Sequence, residues 1–238
     1  MVNVKQSLVR EWMKNTLIAV IVYGIFLATM VFTVDITFDL AFYLGIFSSI
    51  FGTSYILTIR NPKNYLGFIF GVSSSFLLGI KLWLLGTYDQ SVLYFIVFIP
   101  FQLRSYFNWR TSTLSKGDDA PLVLKFLPLK KMLSFVAIGA LIMMVDYYVL
   151  STWLMPNAST FMQLLCGFIV ATAVLANFLL INRWVDCWIY WVVFSTASIV
   201  YAVMMHLPFT IMLFIFFLVI NGITCVDWIK MWYQQQKK

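Results

Sequence analysis

Residues 160–181 read TFMQLLCGFIVATAVLANFLLI, an apolar stretch without a single charged residue. A run of about twenty such residues forms a helix long enough to cross the hydrocarbon core of a bilayer. The whole chain shares this character, since 62% of its 238 residues are hydrophobic and only 11% are charged. That composition exceeds what a soluble core of this size can bury. The sequence therefore predicts an all-α integral membrane protein.

Apolar runs of similar length on both sides of this stretch predict eight transmembrane helices in total. They lie near 16–34, 40–59, 65–85, 91–109, 132–150, 160–181, 187–205 and 208–228. The connection from 108 to 131 is long and polar, and its Gly117, Pro121 and Pro128 are typical of a loop. The predicted organisation is an extra N-terminal helix in 1–39, a three-helix repeat in 40–109, a cytoplasmic loop and connector helix in 110–159, and a second three-helix repeat with a cytoplasmic tail in 160–238.

Outside the predicted spans, which contain Lys81 and Arg104, the basic residues are confined to every second connection, and this pattern orients the spans. The basic residues of these connections are Lys5, Arg10, Lys14, Arg60, Lys63, Arg110, Lys116, Lys125, Lys130, Lys131, Arg183, Lys230, Lys237 and Lys238. The other connections contain Asp35, Asp39, Asp89 and His206. By the positive-inside rule both termini are cytoplasmic in a multi-pass protein of the cell inner (plasma) membrane. The formal net charge of +7 then reflects topology and not a nucleic-acid partner.

The two halves of the chain resemble each other. Aligning FQLRSYFNW (101–109) with INGITCVDW (220–228) places Trp109 on Trp228 and Gln102 on Asn221. Because three spans and a connector separate matched points, both copies run in the same direction through the membrane. Such parallel repeats hold their solute on the pseudo-axis between them. We therefore expect the side chains of matched positions to converge on a solute there.

A candidate binding face lies in WIYWVVFSTAS, residues 188–198. Trp188, Trp191 and Ser195 share one face of a helix at i, i+3 and i+7, and Ser198 lies near the same stripe. Indoles stack on flat heteroaromatic rings, with a further gain when the ring is cationic. The alternative for Trp188 is a tryptophan belt at the membrane interface, the function we expect for Trp83, Trp109, Trp184, Trp228 and Trp232.

The amides Gln102 and Asn221 complete this candidate site. A buried amide inside a membrane helix needs a hydrogen-bond partner. That partner is either the solute or, as an alternative, another helix. Gly222 follows Asn221 and predicts a close approach of the backbone there.

Together these features resemble the Pnu-type vitamin transporters, which include the PnuC nicotinamide riboside transporters. The W-x-x-W pair, the Asn-Gly pair before a tryptophan and a 3+1+3 core after one extra span carry the resemblance. It implies a fold similar to that of the SWEET sugar transporters, a homotrimer, and facilitated diffusion with trapping by a cytoplasmic kinase. In that family pattern Trp188, Trp191 and Asn221 bind the solute.

Two positions depart from the family pattern. Ser195 replaces an asparagine of the family, and Phe95 replaces a glutamine. The resemblance therefore places nicotinamide riboside first and leaves deoxynucleosides, thiamine and riboflavin as alternatives.

Other classes of function fit the sequence less well. The only histidine is His206, no cluster of metal ligands is present, and no serine or cysteine has a base at helical spacing. We expect neither an enzyme nor a bound cofactor. No carboxylate lies near the middle of a predicted span, which favours uncoupled transport. A scaffold or assembly protein remains the alternative from another class.

Overall fold

The computed structural model describes residues 4–33, 38–115 and 123–237. Eight helical stretches in this part of the chain follow one another. They are α1 (Val4–Thr33), α2 (Leu40–Ile59), α3 (Gly67–Leu84), α4 (88–115), α5 (Leu129–Leu154), α6 (Thr160–Ile181), α7 (Cys187–Met204) and α8 (Pro208–Gln236). Among the described residues, seven helices are long and apolar enough to cross a membrane. The prediction of a nearly all-helical membrane protein is confirmed.

The stretch that was predicted as the fourth span, 91–109, is the one that those seven do not include. In α4 a short α-helix, Tyr88–Val92, passes through a π-helical segment, Leu93–Phe98, into a longer α-helix, Ile99–Ser115. The wider turn of a π-helix rotates all the following side chains around the axis. The register of α4 therefore differs from that of an uninterrupted helix.

The limits of α2 and α6 are the predicted ones, 40–59 and 160–181. Both helices begin at a capping side chain: Asp39 Oδ1 accepts a hydrogen bond from Phe42 N at 2.7 Å, and Ser159 Oγ accepts one from Met162 N at 3.2 Å. The predicted loop at 108–131 is shorter than expected, because α4 continues to Ser115 and α5 begins at Leu129. Asp35, Lys116, Gly117 and Pro121 lie outside the described residues.

We call the end of the bundle that contains Arg60 and Arg183 the inner end, and the end that contains Gly86 and His206 the outer end. At the outer end both halves make the same turn. Gly86 and His206 have positive φ angles of 75° and 52°. Thr87 N bonds to the carbonyl of residue 82 at 3.0 Å, and Leu207 N bonds to that of residue 202 at 2.9 Å. This match supports the proposal that the halves are copies.

At the inner end a tryptophan of each half donates a hydrogen bond to a backbone carbonyl of the other half. Trp228 Nε1 donates to Arg60 O at 2.9 Å, and Trp109 Nε1 donates to Leu180 O at 3.2 Å. Both indoles are fully buried, and their ring centroids lie 6.0 Å apart. The prediction that Trp109 and Trp228 belong to a membrane belt is therefore wrong. Trp83 is 54% exposed and fits such a belt.

Arg183 fixes the inner end of the second half. Its guanidinium donates to Pro62 O at 3.0 Å, to Ser112 Oγ at 2.7 Å and to Trp109 O at 3.3 Å, and it lies 4.6 Å from the centroid of the Trp109 ring. Burial lowers the pKa of Arg183 to about 10, so it remains a cation at neutral pH. The matched residue, Arg60, instead forms an ion pair with Asp227 at 2.6 Å that is partly exposed.

Candidate functional site

The candidate face on α7 is buried inside the bundle. The exposed fractions are 0% for Trp188, 4% for Trp191, 0% for Ser195 and 2% for Ser198. A tryptophan of the interfacial belt would keep part of its ring in contact with headgroups. The belt alternative for Trp188 therefore does not fit, and the face lies where the helices of the two halves meet.

Asn221 of α8 lies against this face. Its Nδ2 donates to Ser195 Oγ at 3.0 Å and to Trp191 O at 3.3 Å. A Cβ at Gly222 would meet nothing within 4 Å, so the predicted close approach of the backbone there is wrong. The position of Asn221 is set by its own hydrogen bonds and not by its neighbour.

Several polar atoms of this group are buried and have no hydrogen-bond partner in the described chain. They are Nε1 of Trp188, Nε1 of Trp191 and Oδ1 of Asn221. Each such atom destabilises the folded protein by about 1–3 kcal/mol, because its hydrogen bonds to water are lost and no protein group replaces them. These two donors and one acceptor lie next to flat indole rings. Such a group can stack on a flat polar solute and form hydrogen bonds with it.

The matched group in the first half is arranged differently. Ser75 Oγ donates to Gln102 Oε1 at 3.2 Å, which parallels the bond between Asn221 and Ser195. Gly71 precedes Ser75 by one turn, and a Cβ there would lie 2.9 Å from the Tyr55 ring and 3.2 Å from Gln102 Cδ. Where the second half has an indole, the first half therefore has a glycine that admits Tyr55.

Phe98 of α4 joins the halves. Its ring centroid lies 5.8 Å from that of Trp191 and 5.9 Å from that of Phe194. The sequence predicted Phe95 for this part of the site, but Phe95 instead packs against Phe76, at 6.0 Å between centroids, and against Gly79. Phe76 is half exposed, so Phe95 faces the periphery of the bundle. The π-helical segment of α4 accounts for the difference, because it changes which residue faces inward.

Tyr55 and Tyr201 were not predicted as candidates. Both are buried, at 6% and 4% exposure, and the hydroxyl of each has no partner in the described chain. A tyrosine inside a predicted span is the available sequence signal, since its hydroxyl needs a hydrogen bond in the membrane. The signal is weak here because the chain contains twelve tyrosines.

The site contains no strong charge. Within the described residues, the hydrogen bonds and ion pairs involve no lysine or arginine at Trp188, Trp191, Ser195, Gln102 or Asn221. The same part of the chain contains no group of three histidine, cysteine or carboxylate residues that could hold a metal ion. The arrangement is suited to reversible binding of a flat polar solute.

Comparisons with known proteins agree with this architecture. The model of the nicotinamide mononucleotide transporter family matches residues 42–230. In fold, the chain is similar to the structure described as the crystal structure of the vitamin B3 transporter PnuC, with a TM-score of 0.71 and 17% identity. That likeness covers 91% of this chain and 90% of the other. No curated protein matches.

The match to the family model extends from the start of α2 into the last helix and includes every residue of the candidate site. The resemblance to Pnu-type transporters seen in the sequence is confirmed. This chain belongs to the nicotinamide mononucleotide transporter family.

Proposed function

We propose that the protein moves a nucleoside-like vitamin, first of all nicotinamide riboside, across the cell membrane by facilitated diffusion. The observation that carries this proposal is the buried group of unpartnered polar atoms on Trp188, Trp191 and Asn221. The indole of Trp191 offers a stacking surface for a nicotinamide ring. The Asn221 acceptor and the indole N–H groups suit a ribose hydroxyl and a carboxamide.

The charge of the site favours a nucleoside over the mononucleotide that gives the family its name. A phosphate group is recognised by arginine, lysine or a helix N-terminus. Arg183, the buried arginine of the inner end, is already bonded to Pro62, Ser112 and Trp109. Phosphorylation inside the cell by a cytoplasmic kinase would therefore give a product that this site does not take back.

A deoxynucleoside is the second candidate, because of Ser195. Its hydroxyl donates to Trp191 O at 2.8 Å and accepts from Asn221. It thus has little capacity left for a sugar hydroxyl, where the family asparagine would offer a whole amide. A solute with one hydroxyl fewer suits this site better than it suits the family pattern.

Three further parts of the proposal rest on the family resemblance and on the pattern of basic residues. They are the homotrimer, the coupled kinase and the cytoplasmic location of both termini. Size-exclusion chromatography with light scattering tests the first, and accessibility of single cysteines near each terminus tests the third.

Equilibrium binding to the full-length protein in nanodiscs, measured by calorimetry, tests the function. The solutes are nicotinamide riboside, nicotinamide mononucleotide, thymidine, thiamine and riboflavin. We expect saturable binding of nicotinamide riboside that is weakened by about 10- to 100-fold in Trp191→Ala. Trp83→Ala is the control, because Trp83 is exposed at a span end. In proteoliposomes the bound solute should equilibrate without a proton or sodium gradient. Absence of binding for the whole panel, with folded protein, would contradict the proposal and favour a scaffold.

A further inference from the structure

A second polar region lies at the outer end of the bundle. A small cavity of about 20 Å³ opens there between α3, α4, α6, α7 and α8. Its lining includes Gln90, Tyr94, Ser198, Tyr201 and Phe214. Phe214 contacts Phe194, and Phe194 contacts Trp191, with centroids 5.6 and 5.3 Å apart. The cavity therefore adjoins the candidate solute site on its outer side.

Asp89 lies behind the wall of this cavity. The sequence placed it in a loop, but it is helical in α4 and only 6% exposed. Its Oδ2 accepts a hydrogen bond at 3.0 Å from Nε2 of Gln90, a residue that lines the cavity. Its Oδ1 is buried and has no partner in the described chain. The buried thiol of Cys166 lies close to Asp89 as a weak S–H donor, so within the described chain the carboxylate has no second strong donor.

A second carboxylate, Asp146 of α5, lies near the first. Asp146 and the buried thiol of Cys166 both lie close to Asp89. Asp146 Oδ2 is also buried and unpartnered. Neither carboxylate pairs with a lysine or arginine within the described residues, where the ion pair is that of Arg60 with Asp227. We call Asp89 and Asp146 the outer carboxylate pair.

The hydroxyl groups that line the cavity provide an independent observation. Tyr201 and Ser198 line the cavity and are 4% and 2% exposed. Among the described residues, neither Oη of Tyr201 nor Oγ of Ser198 has a hydrogen-bond partner. Asp89 lies near Tyr201. Unsatisfied hydroxyls, aromatic rings and a carboxylate without a basic partner in the described chain thus meet at one place.

This combination has a defined chemical preference. Aromatic faces and buried carboxylates both attract an organic cation, and the attraction is strong where water is excluded. Lys81, the buried lysine of the outer half, lies with its Nζ against Gly45 of α2 and not in the lining of the cavity. The described residues that line the cavity thus include no lysine or arginine that would repel a cation.

We propose that the outer cavity selects solutes with a positively charged ring, and that Asp89 is the residue that confers this selectivity, with Asp146 in support. The inference rests on the proposed function and sharpens it. It favours an N-substituted pyridinium or thiazolium solute over a neutral deoxynucleoside or flavin. The cavity must widen to admit the ring, so it acts on the way to Trp191 and not as the resting site.

A matched pair of solutes tests this selectivity. Nicotinamide riboside carries a cationic ring, whereas its dihydro form is neutral and keeps the same ribose and carboxamide. We expect wild-type protein to bind the cationic form about tenfold more tightly. Asp89→Asn should lose about that factor for the cationic form and leave the neutral form unchanged. Asp39→Asn is the control, because Asp39 is an exposed carboxylate at the same end and asparagine also caps helices.

Two results would overturn the inference while the proposed function stands: equal binding of both forms by the wild type, or an equal loss for both forms in Asp89→Asn. Absence of binding for the whole panel of solutes would overturn the proposed function and this inference together. If Asp89→Asn does not fold, Asp146→Asn carries the same test, with an expected selective loss of about threefold for the cationic form.

Discussion

The first half of the bundle, 40–109, and the second half, 160–237, place a serine and an amide at matched positions and use them differently. In the first half Gln102 is bonded to Ser75, and the space beside Gly71 is filled by Tyr55. In the second half Asn221 is bonded to Ser195 but keeps a free acceptor. Trp191 stands where the first half has a glycine. We therefore expect the second half to bind the solute and the first half to support the site by packing.

The two halves also differ at the inner end, but there the second half has the more complete set of hydrogen bonds. Arg183 of the second half is buried with three acceptors, whereas Arg60 of the first half forms one partly exposed ion pair. Arg183 therefore ties the second half to the first at the inner end, whereas polar atoms of the candidate site in the same half have no partner in the described chain.

The largest expected effect concerns the hydrogen bonds of Arg183 at the inner end. Arg183→Gln should destabilise the protein by about 3 kcal/mol, because Pro62, Ser112 and Trp109 all lose a charged donor. Arg60→Gln should cost no more than about 1 kcal/mol, because its ion pair is partly exposed. Thermal unfolding of both variants in the same detergent gives the comparison. Equal losses would show that the two inner ends are equivalent.

The next effect concerns the stacking surface. Trp191→Ala should weaken solute binding by about 10- to 100-fold, since a stacked ring contributes about 1–3 kcal/mol. Trp191→Phe, which keeps a flat ring but removes the N–H group, should lose less. Calorimetry on both variants separates stacking from hydrogen bonding. A loss in Trp191→Phe as large as that in Trp191→Ala would assign the effect to the N–H group.

Substitution by alanine should change the stability of the protein in opposite directions at the two glycines beside the amide sites, Gly71 and Gly222. Gly71→Ala should destabilise the protein by about 1–3 kcal/mol, because the new Cβ meets the Tyr55 ring and Gln102. Gly222→Ala should stabilise it by about 0.5–1 kcal/mol, because nothing lies within 4 Å and alanine favours a helix. Melting temperatures measure both. A loss of stability in Gly222→Ala would show a close contact that the fold does not have.

The smallest effect concerns the matched amides. Asn221→Ala should weaken solute binding by about tenfold, since a buried acceptor is lost. Gln102→Ala should change affinity by less than about threefold and should act on stability instead, through the bond from Ser75. Affinity and melting temperature are measured on the same preparations. The asymmetry of the halves would be refuted by a larger loss of affinity in Gln102→Ala.

Much of the fold could be predicted from the sequence, because a membrane span has a simple signature. The limits of α2 and α6 follow from apolar runs that end at polar residues. The alignment of Gln102 with Asn221 also anticipated a shared arrangement, since each amide bonds to a serine of its own half.

The rest depended on packing that periodicity does not reveal. Trp109 and Trp228 lie near helix ends, and position along a helix does not show whether a ring points to lipid or into the bundle. Phe95 was predicted for the site, but the π-helical segment turned Phe98 inward in its place. Asp89 follows the turn at Gly86 closely enough to resemble a loop residue, although it is helical and buried.

A structure of the full-length protein with its tightest-binding solute tests the central claim most directly. We predict that the solute ring lies on the Trp191 indole and that a polar atom of the solute donates to Asn221 Oδ1, within about 3.2 Å. The bond between Ser75 and Gln102 should remain as it is. A solute that displaces that bond, while Asn221 Oδ1 stays unpartnered, would contradict the assignment of binding to the second half.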